Sequence, residues 1–145
     1  MTRLLKAFWF VTLLGTSAHL LYVYAGLRED QLIFINDALG GVSRELFFFA
    51  SLGIITLVNF VLYSLHWNLR KRDSEEADFI KGWLMGLGAV LNFFLVIALA
   101  FVHVFNGGEH FDYTNFGYLV IFSMVLIFLW ALSMPIYFIK LKIKA

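Results

Sequence analysis

Residues 81–106 read KGWLMGLGAVLNFFLVIALAFVHVFN, and after Lys81 this stretch holds no Asp, Glu, Lys or Arg. An α-helix needs ~20 apolar residues to cross a ~30 Å hydrocarbon core. The stretch is long enough, and its few polar groups are those a membrane helix tolerates. Working outward, residues 7–27, 46–68 and 116–139 are of the same kind, each free of Asp, Glu, Lys and Arg. The chain has 145 residues, 61% of them apolar and only 14% charged. Four spans leave no room for a folded soluble domain of ~50 residues. The expected fold class is an all-α membrane protein: one integral domain, 1–145, forming a compact four-helix transmembrane bundle with antiparallel neighbours.

Charge sets the orientation. Arg3, Lys6, Arg70, Lys71, Arg72, Lys81, Lys140, Lys142 and Lys144 fall on one side, nine of the eleven basic residues; only Arg28 and Arg44 fall on the other. By the positive-inside rule both termini and the 69–80 loop are cytoplasmic. Small size and topology point to a bacterial inner membrane. Arg3 and Lys6 before an apolar run, with Thr16-Ser17-Ala18 after it, resemble a signal peptide. The run continues through Leu20, Leu21, Tyr22, Val23 and Tyr24, so the segment is expected to remain as the first span. The net charge of +1 gives no case for nucleic acid binding, and the absence of cysteine excludes disulfides and thiolate metal sites.

Helix boundaries are legible. Ser74 is placed to cap the third helix, with Glu75 and Glu76 against its positive dipole end, and Gly107-Gly108 to end it. Trp9, Trp67, Trp83, Tyr22, Tyr24, Tyr118 and Tyr137 fall near expected interfaces, as aromatic belts do; Trp130 is deeper and is expected to pack between helices. Pro135 removes one helical hydrogen bond and predicts a kink near Ala131. The loop from Leu27 to Arg44 carries the β-prone run Gln31-Leu32-Ile33-Phe34-Ile35. It is expected to lie on the membrane surface or to cap the outer mouth of the bundle.

Inside a membrane, small and polar residues mark the faces where helices meet. Four stripes follow at helical spacing: Thr12, Gly15, His19, Tyr22 and Gly26; Thr56, Asn59, Tyr63 and His66; Gly88, Asn92, Leu99 and His103, with Gly82 and Gly86 nearby; and Ser123, Trp130, Ser133 and Tyr137. They imply one centre shared by all four helices, with Asn59, Asn92, Thr56, Ser123 and Ser133 as its polar core.

Asn59 and Asn92 lie near mid-bilayer and are placed to pair as interhelical glue, or to line a ligand or ion path. His19 and His103 are the candidate cofactor residues, since histidines on facing helices are how bundles hold haem b; quinone contact is the other cofactor reading. The plain alternative is that each is a neutral histidine bonded to a neighbour. Their depths differ by ~8 Å at ~1.5 Å per residue, which helix tilt has to absorb. His103, Glu109, His110 and Asp112 supply donors suited to zinc, though their spacing matches no metal motif. Arg70-Lys71-Arg72 reads as a topological anchor that also suits anionic lipid or a partner.

The first outer loop loosely resembles that of bacteriocin-immunity-type membrane proteins at Leu27, Asn36 and Gly40. It lacks both prolines and the histidine of that loop, and no function is carried over. With no nucleophile motif and no intramembrane carboxylate, the leading expectation is a non-enzymatic accessory or assembly subunit of a larger membrane complex, its partners being the bilayer and other subunits or further copies. A haem- or quinone-contacting redox subunit and a small transporter or lipid-handling protein are the alternatives.

Overall fold

The computed structural model describes residues 2–29, 32–34, 40–72, 74–107 and 113–144. They form four helices: α1 (Thr2–Gly26), α2 (Arg44–Asn68), α3 (Glu75–Asn106) and α4 (Tyr113–Lys144); a 3-10 turn, Leu69–Lys71, extends α2. All four helices are long and apolar enough to cross a membrane. The described residues contain no strand, only an isolated antiparallel bridge between Ile33 and Val42. Ser74 caps α3 as expected, accepting from the Ala77 amide at 3.1 Å, and Ser43 caps α2 in the same way through Leu46 at 3.2 Å. In each case the hydroxyl satisfies one of the donors a helix start leaves without a partner.

α3 is the hub. It touches α1, α2 and α4; α1 and α2 also touch each other; and among the described residues α4 packs against α3 alone. The best span window of α3 is 44% buried and that of α4 only 6%, which sets the two helices apart as centre and appendage. The centre expected to be shared by four helices is therefore a three-helix centre with α4 outside it. The reason lies in Gly86 and Gly88. Two residues apart on a helix means ~200° of rotation, so these glycines open opposite faces. A Cβ at Gly88 would come within 2.6 Å of the Trp9 ring of α1, and one at Gly86 would overlap the Trp130 ring of α4. Each face of α3 receives one indole in the gap left by a missing side chain.

The faces of α1 and α2 also shift from the expected stripes. The buried positions of α1 are Trp9, Thr16, Leu20 and Val23, with Leu27 buried just past its end, whereas Gly15 has open space beside it and Tyr22 is largely exposed. On α2, Asn59 is buried with Phe47, Ile55 and Leu62, and Thr56 is exposed. Thr56 thus lies outside the polar core assigned to it. Trp9 lies inside the bundle, not in an interfacial belt.

The end away from the basic residues is closed by the first loop. Ile33 is fully buried among Leu20, Val23, Leu27, Phe47, Ile55, Leu99 and Val102. Asn106 holds it there. Its Oδ1 accepts from the Phe34 amide at 2.8 Å and its Nδ2 donates to the Phe34 carbonyl at 2.9 Å, as a neighbouring strand would. Arg44 fastens the same end. Its guanidinium donates to the Leu27 carbonyl and to Glu29, both at 3.1 Å, and lies 4.4 Å from the Tyr24 ring centre. Of the two expected placements of this loop, its described part takes the cap.

α4 continues through Pro135 as one helix. The Trp130 carbonyl, one residue before the carbonyl that proline frees, accepts from Trp83 Nε1 at 3.0 Å and Ser133 Oγ at 2.6 Å.

Candidate functional site

Three polar groups stand out along the axis of the molecule. The first lies at mid-span, where α1, α2 and α3 meet. Asn59 and Asn92 pair through their amides: Asn59 Nδ2 donates to Asn92 Oδ1 at 2.8 Å, and Asn92 Nδ2 donates back to Asn59 Oδ1 at 3.1 Å. The second proton of Asn59 Nδ2 goes to the Ile55 carbonyl at 2.8 Å, and that of Asn92 to Thr12 Oγ1 at 3.3 Å. Trp9 Nε1 completes Asn59 by donating to its Oδ1 at 2.8 Å. Thr16, fully buried, donates between the Thr12 carbonyl at 2.8 Å and the Asn92 carbonyl at 3.2 Å.

A primary amide has two donor protons, and all four in this pair are used. Such a network is a joint between three helices, with no vacant donor for a passing solute. Its rigidity comes from the low dielectric around it, where an unmade bond is costly. Asn59 and Asn92 were readable from the sequence. Trp9 and Thr16 were not, because each is identified only by what lies across the interface.

The second group lies nearer the capped end. His19 and Tyr22 have ring centres 6.0 Å apart, and Tyr22 and His103 5.6 Å apart. The depth mismatch anticipated for the two histidines is thus bridged by one tyrosine. The His103 ring sits over Gly26, where an added Cβ would come within 2.5 Å of it. His19 Nε2 and His103 Nδ1 are both buried and have no hydrogen-bond partner among the described residues. Among the described residues no Ser, Thr or Asn hydrogen bond reaches these two atoms. Glu109, His110 and Asp112, the remaining candidates for a metal site with His103, lie outside the described residues. Among the described residues no group of three or more His, Asp or Glu side chains is placed to hold a metal ion.

The third group joins α3 to α4. Trp83 Nε1 donates to the Trp130 carbonyl and to Ser133 Oγ, each at 3.0 Å, and Trp130 Nε1 donates back to the Trp83 carbonyl at 3.0 Å. Phe79 and Tyr137 stack below them with ring centres 3.7 Å apart. The stripe read on α4 is the face that meets α3, and Trp130 is a packing residue as expected. Trp83 joins it. Ser123 is fully buried but donates to Val120 within its own helix at 2.8 Å. It fills a close contact without bonding across it. No family model, no curated protein and no solved structure matches the chain.

Proposed function

We propose that the protein is a non-enzymatic polytopic membrane subunit that works by packing against other membrane proteins. The observation that carries this is the single-faced attachment of α4. One face lies on α3, and the rest presents Phe122, Val125, Phe128, Leu129, Leu132 and Ile136 outward. A membrane interior offers helices no hydrophobic drive to associate, so such a face meets lipid or a shape-matched partner. The saturated Asn59–Asn92 joint supports a structural interior over a transport path. The basic end, with nine of eleven cationic residues in the sequence, is the cytoplasmic end in this reading, in a bacterial inner membrane.

A second reading, a haem b or quinone contact, draws support from the unpartnered ring nitrogens of His19 and His103 beside Tyr22.

Native mass spectrometry of protein extracted gently from its own membrane separates the two. Copurifying polypeptides are the expected result. A lone chain carrying the mass of haem or quinone favours the second reading, and a lone chain carrying nothing contradicts both. Orientation is open to a clean test because the chain has no cysteine. A cysteine at Lys71 should resist an impermeant maleimide in intact cells, and one at Glu29 should react. The reverse pattern would invert the topology.

A further inference from the structure

At the basic end, three separate parts of the chain converge on one cleft. Arg3 and Lys6 come from α1, His66 and Arg70 from the end of α2 and its 3-10 extension, and Asp78 and Lys81 from α3; together they line a space of about 300 Å³. Lys81 is already committed. It is buried, and its Nζ donates to Asp78 Oδ1 and to the Arg72 carbonyl, both at 3.0 Å. That leaves Asp78 engaged and the other cations without a carboxylate: Arg3, Lys6 and Arg70 form no ion pair with any described acidic residue.

Aromatic rings hold two of these cations instead. Lys6 Nζ lies 5.4 Å from the Tyr63 ring centre, and the Arg70 guanidinium 4.9 Å from that of Trp67. A ring face attracts a cation without neutralising it. Three like charges, two of them held by rings, thus line one cleft without a described carboxylate of their own, an arrangement that favours an anion between them.

Beside this cleft, and sharing Asp78 with it, runs an apolar groove of about 390 Å³ between α1, α3 and α4. Leu5, Phe79, Trp83, Leu129 and Trp130 line it. It exists because α4 leans on α3 alone and leaves a gap toward α1. A basic cleft at the end of the spans, joined to a hydrocarbon-lined groove that runs inward as far as Val90 and Leu126, matches the two halves of one kind of molecule. We propose that the cleft binds the headgroup phosphate of an anionic phospholipid, with an acyl chain lying in the groove.

The test uses the full chain in phosphatidylcholine vesicles containing phosphatidylglycerol. Tryptophan quenching is compared when either lipid carries brominated acyl chains, with Trp67→Phe as background so that the lipid-accessible signal comes from Trp83 and Trp130 in the groove. Juxtamembrane cations attract anionic lipid, so the three together should give a preference of about tenfold or more for phosphatidylglycerol. The triple variant Arg3→Gln, Lys6→Gln, Arg70→Gln should lose it. All three are exposed, so the fold should survive.

Lys140→Gln, Lys142→Gln, Lys144→Gln removes the same charge from α4 and should keep the preference. Three results would overturn the assignment. One is no preference in the unaltered protein. Another is equal loss in both triple variants, which means diffuse surface charge. The third is loss on adding excess inorganic phosphate, which means a free phosphate is the occupant.

Discussion

Gly86→Val is expected to release α4 from the rest of the protein while leaving α1, α2 and α3 together. The added Cβ already overlaps the Trp130 indole, and two further methyls leave the ring no room. Overpacking of this kind costs about 1–3 kcal/mol. What holds α4 is of the same size. Interhelical hydrogen bonds in membranes contribute ~0.6 kcal/mol on average, with a maximum of about 1.7, and an aromatic stack about 0.5–1.5. The reciprocal Trp83–Trp130 bonds and the Phe79–Tyr137 stack therefore amount to only a few kcal/mol.

The readout is a short thiol crosslink between Phe79→Cys and Tyr137→Cys, which Gly86→Val should abolish. Adding Trp130→Ala should restore part of it, because the clash goes but one indole bond goes too. Persistence of the full crosslink in Gly86→Val would contradict the interface. Gly88→Val, on the opposite face, should leave this crosslink intact and instead disturb Trp9.

Asn92→Leu should destabilise the three-helix unit by about 2 kcal/mol, read from reversible unfolding in mixed detergent micelles. It removes both amide–amide bonds and the bond to Thr12, and leaves one Asn59 proton without a partner in a buried setting. Asn59→Leu should cost a similar amount, since it also strands the Trp9 indole. The informative quantity is the double variant. Because the amides share their bonds, its cost should fall short of the sum of the singles by roughly 1 kcal/mol. Strict additivity would mean the two asparagines act independently. Thr56→Ala, at an exposed position, should change nothing measurable.

These two sites mark what could and could not be read from the sequence. The spans follow from length and apolarity, and Ser74 from capping chemistry. The Asn59–Asn92 pairing follows because an amide at mid-bilayer depth has few other partners. The α4 face was legible for a related reason: Ser133 and Trp130 are polar enough to need an interface.

What escaped are properties of pairs. Trp9 looks like a belt residue until Gly88 and Asn59 are seen opposite it. Gly15 looks like a contact glycine, yet among the described residues nothing lies within 4 Å of a Cβ placed there. Arg44 looks like the end of a solvated loop and Asn106 like the last residue of a span, and their work as clamps depends on where the loop backbone returns. The one missed clue that was present is the spacing of Gly86 and Gly88. Two glycines ~200° apart say that α3 is approached from both sides, which already disfavours a single shared centre.

The central claim is that α3 is the hub and that, among the described residues, α4 touches it alone. Thiol crosslinking in the cysteine-free chain tests this directly, with Tyr137→Cys paired in turn with Phe79→Cys on α3 and Tyr63→Cys on α2. The structure predicts efficient linking to position 79 and none to position 63. Efficient linking of 137 to 63 would place α4 against the three-helix centre and contradict the architecture described here.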